Sequence, residues 1–463
     1  MQSLTRLREA ETELRVESHI DKLPVELLSR IFHLVVPREL FSEQGSDNTD
    51  LIVDEAQRVS QVCRYWRQIA HSTPELWVDG IRFSAGHKDP MMLDFEQTTA
   101  WLKRSHPLPI TIYFSWSTGW DTGLGFQGTE LFRTLLTTTQ RWRHLNWDIP
   151  HISPLADLPP GSFEMLERFT LDHAQSLQKP IDVFLSASRL REVQICSRTF
   201  VPRPGILDSL QMPWKQLTSL TLGDALGLAE CRDTMVQCTN VRTMKICASL
   251  WEDSQVPLPS SAVVVLPFLH TLHFHVEGLI TTAMDHFFIP LALPALKSFE
   301  LSLRTHPLIP EITWDAALFS EFQARAPNVE NLALNTHAKP VGAENLIALL
   351  RLSPAVAELA IDGCHLDDAF IRALEVAEND PHVLAPKLVS LKLHGIGTRP
   401  SDDALEAMIR SRWNPTRVSS DTEAPRVASL KKAVVIKGGN GTTQKLETRL
   451  QDLVQQGLDL VFD

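Results

Sequence analysis

One short pattern, apolar-x-x-apolar-x-apolar, returns ten times along the chain, first as WRHLNW and last as LVSLKL. Its leading residues are Trp142, Leu166, Leu190, Leu217, Val241, Leu269, Leu296, Val329, Val356 and Leu388. The intervals run from 24 to 33 residues with a mean of about 27, a period that belongs to stacked repeat architectures. Alternating apolar side chains suit a short strand with one face in a core. One such repeat cannot bury its own apolar face, so neighbours must stack to do it. The return segments read as helices in the C-terminal half, where WDAALFSEFQARAP, AENLIALLRLSP, DDAFIRALEVAEND and SDDALEAMIRSRW combine polar starts with 3-4 apolar spacing. Proline precedes many of the strands, as in LPFLHTL, LPALKSF, APNVENL and APKLVSL, ending each return and extending the chain into the next strand. KKAVVIKGGNG is expected to be the last strand, and the amphipathic KLETRLQDLVQQGLDLVFD to be a helix capping the open end.

This array resembles leucine-rich repeats over roughly 290 residues. The resemblance implies an α/β solenoid with a parallel concave sheet. The Asn or Cys that the motif places after the strand is nearly absent, and only Cys364 fits it. An irregular arc is expected, uneven near the longer spacings at 296–329 and 356–388.

The N-terminal part follows another period. In IDKLPVELLSRIFHLV, beginning at Ile20, Pro24 suits a first helical position and Glu26 lies in the first turn. Leu27, Leu28, Ile31, Phe32 and Val35 form an apolar stripe, widened by Leu34, until Pro37 stops it. After a polar stretch from Ser42 to Asp50, Asp54 begins a D-x-x-Q cap for a second helix carrying Val59, Val62, Cys63, Trp66 and Ile69. Thr73 and Pro74 open a third turn with Leu76 and Trp77. So small a helical core needs a partner surface.

LPVELLSRIF, VSQVCRYWRQIA and STPELW, in that order and spacing, resemble the F-box, in the form of the F-box-like domains common in fungal proteins. The longer polar loop before Glu55 departs from compact F-boxes, an insertion that a surface loop tolerates cheaply. The resemblance implies docking on a Skp-type adaptor and, through it, a cullin ligase. The adaptor-binding residues it implies are Leu23, Pro24, Leu27, Leu28, Ile31 and Phe32. Val62, Cys63 and Trp66 either join them or hold the helices together, and Leu76 and Trp77 are likewise implied to bind the adaptor. The expected division of the chain is a charged helix at 1–18, the F-box at 19–79, a junction with the first atypical repeats at 80–140, and the solenoid at 141–463.

Composition narrows the partners. A net charge of −12 and a pI of about 5.8 offer no overall positive field for nucleic acid or anionic lipid. The six cysteines, Cys63, Cys196, Cys231, Cys238, Cys247 and Cys364, show neither CxxC pairs nor framework spacing, so reduced thiols and the cytoplasm or nucleus are expected. The N-terminus lacks the apolar core of a secretory signal, and no apolar stretch is long enough to span a bilayer.

Chemical motifs are sparse. GLGFQG, Gly123 to Gly128, matches GxGxxG with Asp148 beyond it, but six residues separate it from the preceding strand-like segment. A nicotinamide-dinucleotide site wants the glycines directly after the strand, so a Gly-rich junction turn is the competing reading. His273 and His275 share one strand face at a separation of about 7 Å, which suits either solvated imidazoles or half of a metal set. No HExxH, nucleophile elbow or P-loop accompanies them, and neither enzymatic activity nor a cofactor or metal is expected. The side chains between the apolar anchors form outward columns. Thr221, Lys245, His273, Glu300 and Lys392 in one, and His275, Asn335, Asp362 and His394 in the next, are the candidate target contacts. Binding of a target protein for ubiquitination is the leading expectation, and a repeat scaffold without a ligase role is the alternative.

Overall fold

The structure is a computed structural model that describes residues 19–36, 50–85, 95–116, 130–149, 152–172, 179–196, 205–223, 226–249, 263–277, 287–304, 316–335, 341–363, 366–377, 382–395, 400–413, 427–436 and 444–462. Residues 1–18, the glycine motif at 123–128 and Cys364 lie outside them. Two compact units divide the chain. The first comprises residues 1–154, 158–168 and 186–189, and the second 155–157, 169–185 and 190–463.

The first unit opens with α1 (Val25–Val35). Pro24 stands at its cap rather than in its first turn, and its carbonyl accepts from the amides of Leu27 and Leu28 at 3.0 and 3.1 Å. The second helical segment departs from expectation. It is two helices, α2 (Asp50–Gln61) and α3 (Arg64–His71), and Asp54 lies inside α2 instead of starting a helix. The break comes at Cys63, whose extended backbone lets its Sγ accept from the Trp66 amide at 3.4 Å as the cap of α3. Thiols are outside the usual set of capping residues, so the restart carries no clear signal in the sequence. Pro74–Trp77 forms a single 3-10 turn, pinned where Trp77 Nε1 donates to the Ala70 carbonyl at 2.7 Å.

Residues 81–148 then alternate β1 (Ile81–Ala85), α4 (Phe95–Arg104), β2 (Ile110–Trp116), α5 (Glu130–Leu136) and β3 (Trp142–Asp148), with the three strands parallel and in sequence order. Two strand-helix repeats thus precede the first regular pattern. They are hard to read because their core is aromatic rather than leucine-rich. The Phe114 ring lies 4.6 Å from Trp147 and 5.7 Å from both Phe132 and Trp142.

The second unit contains β4 (Arg168–Leu171, belonging to it from Phe169), β5 (Glu192–Ile195), β6 (Ser219–Leu222), β7 (Thr243–Ser249), β8 (Val264–Val265), β9 (Thr271–Glu277), β10 (Leu291–Ala292), β11 (Ser298–Arg304), β12 (Asn331–Asn335), β13 (Glu358–Asp362), β14 (Ser390–His394), β15 (Lys432–Ile436) and β16 (Asp459–Phe462). Apart from the short β8–β10 pair, these strands lie side by side in sequence order, and from β5 onward every pairing is parallel. The arrangement is an α/β solenoid, as the repeat period predicts. All ten pattern-leading residues are buried, none more than 3% exposed.

The returns include α6 (Leu228–Gln237), α7 (Ala316–Arg325), α8 (Ala343–Arg351), α9 (Asp368–Ala373), α10 (Asp402–Arg412) and α11 (Gln444–Gln455). Two of them differ from their sequence pattern. α9 stops at Ala373 although apolar spacing continues, because the next backbone groups are taken by α10: the Val376 amide donates to Ser411 Oγ at 3.0 Å, and Leu374 O accepts from Arg412. α11 does not end the array. Gly457, at a left-handed φ of 105°, terminates it, a conformation glycine adopts without strain. β16 then pairs with β15, so KKAVVI is not the last strand.

Candidate adaptor and target surfaces

α1 is apolar on two sides. Leu28 is wholly buried and Phe32 nearly so, with the Phe32 ring 4.9 Å from that of Trp66. Leu76 and Trp77 join this interior. Leu28, Phe32, Leu76 and Trp77 therefore hold the helices together and present little surface. Leu27, by contrast, is 49% exposed, Leu34 is 81% exposed, and Val25, Ile31, Val35 and Val62 are also exposed. Pro24 is exposed, while Leu23, Cys63 and Trp66 are half-buried. Glu26, Ser29, Arg30 and His33 take the remaining side of α1, so its apolar arc is wider than the stripe one packed face buries, and the uncovered part marks an interaction surface. Val25, Leu34 and Val35 are not among the contacts that the F-box resemblance implies, and they extend this uncovered face. The signal available was the excess of apolar residues in α1 beyond the stripe its own domain needs.

In the second unit the strand registers assemble the outward columns. Thr221, Lys245, His273, Glu300, Ala333, Ala360 and Lys392 are consecutive Cα partners. Cys247, His275, Ser302, Asn335, Asp362 and His394 form the next row. In-register parallel pairing brings equivalent side chains of adjacent strands together, and two hydrogen-bonded histidine–carboxylate pairs result. His273 Nδ1 lies 2.7 Å from Glu300 Oε2, and His394 Nδ1 lies 2.6 Å from Asp362 Oδ1. The hydrogen bond from His273 holds the Glu300 carboxyl below its ordinary range against the opposing effect of burial, with the charges of Lys245 and His275 adding to the lowering.

Between Glu300 and Lys392 the column contains only the short side chains of Ala333 and Ala360. A depression of about 190 Å³ opens there, rimmed by Glu358, Asn331, Ser298 and Ser390. His273 is engaged with a carboxylate, and no group of three or more His, Cys, Asp or Glu side chains among the described residues is disposed to hold a metal ion. Nor is any helix among them long and apolar enough to cross a membrane.

A small helical domain with an uncovered apolar face, carried in one chain with a parallel α/β solenoid, defines a class of interaction proteins. Residues 20–79 are an F-box-like domain, matched over that span by the family model of that description. F-box domains generally bind Skp-type adaptors, and their presence suggests a substrate-adaptor role in SCF-type ligases. No curated protein sequence matches the chain. Among solved structures, a Bacteroides fragilis protein from a structural genomics programme is 11% identical, with a TM-score of 0.32, covering 67% of this chain and 68% of that one. A chain of the Drosophila Toll–Spätzle complex is 16% identical, with a TM-score of 0.28, covering 78% of this chain and 55% of that one.

Proposed function

We propose that the chain is a target-binding subunit of an SCF-type ubiquitin ligase. The exposed side of α1 docks a Skp-type adaptor, and the outward columns of the second unit's sheet hold the target protein. The observation that carries this reading is the division of α1, with Leu28 and Phe32 turned inward while Val25, Leu27, Ile31, Leu34 and Val35 remain uncovered on a domain whose family binds such adaptors. The chain then contributes no nucleophile of its own. It raises the rate of ubiquitin transfer by proximity, with the chemistry supplied by other subunits. The target depends on what the sheet face recognises, and the cytoplasm or nucleus is the compartment this reading implies.

Co-purification with the adaptor tests the first half. Leu27→Asp combined with Leu34→Asp should weaken the complex at least a hundredfold while leaving the melting temperature near that of the wild type, because Leu27 is 49% and Leu34 81% exposed and surface changes cost about 0.5 kcal/mol or less. Wild-type protein that does not pair with the adaptor, or a double variant that pairs as well, would sink the proposal. Ubiquitination of a captured target in the reconstituted ligase then separates a ligase subunit from a scaffold.

A further inference from the structure

Behind the F-box, within the first unit, a cleft of about 440 Å³ opens between α2, α3 and α4. Its basic groups are Arg67 and His71 from α3 and Arg104 from α4, and its one carboxylate among the described residues is Glu96 at the start of α4. Gln57, Ser60 and Gln61 from the end of α2 complete the polar wall, with Trp77 and Trp101 at the base. Neither guanidinium is neutralised. Arg67 Nε donates to the Ser60 carbonyl at 3.1 Å, Arg104 lies 4.6 Å over the Trp77 ring, and neither pairs with a carboxylate among the described residues.

The three basic groups sense one another. Burial lowers the basicity of His71, and the nearby charges of Arg104 and Arg67 lower it further. This local excess of positive charge runs against a chain with a net charge of −12. With Glu96 opposed to two guanidiniums, the lining carries a net charge of about +1. A monoanion balances that. A dianion overshoots it and favours a proton on His71, whose ring N–H groups would then add a third positive charge. Forked guanidiniums match the oxygens of a phosphate group in geometry as well as charge, and the cleft is within the roughly 300–1,000 Å³ range of ligand sites.

We propose that this cleft binds a phosphate monoester, with Arg67 and Arg104 as its principal contacts and His71 as a third. The phosphate belongs either to a small molecule or to a phosphorylated side chain of a protein segment. The site lies in the F-box-like domain and α4, so the proposal stands apart from the target-binding role of the second unit.

The test uses the full chain and inorganic phosphate, titrated calorimetrically against chloride at matched ionic strength in two buffers of different ionisation enthalpy. Saturable binding with proton uptake is expected. Arg67→Gln combined with Arg104→Gln should weaken it at least tenfold, whereas Lys432→Gln, on an exposed strand residue of the second unit, should leave it unchanged. Gln61→Glu adds an anion at the exposed rim without removing a guanidinium, and should weaken binding even if the double arginine variant does not fold. A phosphoserine peptide that binds more tightly than inorganic phosphate identifies a phosphorylated segment as the source. Equal affinity identifies a small phosphate ester. No saturable heat beyond chloride, or binding indifferent to both variants, overturns the proposal.

Discussion

Arg412 Nε donates to the carbonyl of Leu374 at 2.6 Å from inside the second unit, where the arginine is only 2% exposed. Its other nitrogens donate to the carbonyls of Ala385 at 3.1 Å and Leu384 at 2.5 Å. One guanidinium thereby ties the end of α9 and the approach to β14, where Ala385 sits at a φ of 46°, to the end of α10. Burial pushes its pKa down to about 10, which leaves it charged at neutral pH. Arg412→Met keeps most of the stem but leaves three acceptors without their donor. A loss of roughly 3 kcal/mol is expected, since an unsatisfied buried polar group costs about 1–3 kcal/mol, and urea denaturation measures it. Arg412→Lys should recover only part, because an ammonium lacks the planar fork. An unchanged urea midpoint for the methionine variant would show that the clamp contributes nothing.

Such clamps explain how the array dispenses with the Asn ladder that its sequence lacks. Arg141 reaches the carbonyls of Leu108 and Leu102, Arg325 those of Leu291 and Phe288, Asn240 that of Lys215, Asn328 that of Pro294 and Gln216 that of Leu190. Each crosses 25 to 39 residues, about one repeat. The strand cores were legible because buried alternation leaves a regular mark on the sequence. The clamps were not, since their donors are of three residue types and their acceptors are main-chain carbonyls that carry no residue signature. The F-box shows the same limit. Leu27 and Leu28 are adjacent members of one apolar stripe, and only the docking of α1 against α3 and the 3-10 turn decides that Leu28 faces inward while Leu27 faces water.

The pair formed by His273 and Glu300 makes the sheet face sensitive to acid. The carboxyl titrates below its ordinary range in the folded chain, chiefly through its hydrogen bond to His273. A depressed carboxyl contributes stability that is present above its unfolded pKa, about 4.3 for glutamate, and is lost as pH falls through the folded value. Glu300→Gln should therefore lower the melting temperature at pH 7 by a small amount, as expected for a half-exposed pair, and the gap to wild type should close below about pH 4. Melting curves of the two proteins across that range measure the difference. A gap that is constant with pH would mean that ionisation of Glu300 plays no part.

Gly223 marks a place where the outward row must stay empty. It follows β6, and its amide donates to the Ile195 carbonyl at 2.7 Å, drawing the strand ends close together. A Cβ added there would lie 2.7 Å from Cys196 Sγ, 2.9 Å from Cys196 Cβ and 2.8 Å from Cys196 Cα. A sulfur can rotate aside. A Cα held in a ladder cannot, and the Cys196 amide is itself committed to the Leu171 carbonyl at 2.8 Å. Gly223→Ala should thus cost about 1–3 kcal/mol, in the range for overpacking, by separating β5 from β6 at their ends. Adding Cys196→Ala removes the sulfur but neither the Cα nor the Cβ, so it should restore little of that stability. Urea denaturation of the single and double variants separates the two causes: full recovery in the double variant would place the clash on the side chain and leave the backbone approach without consequence.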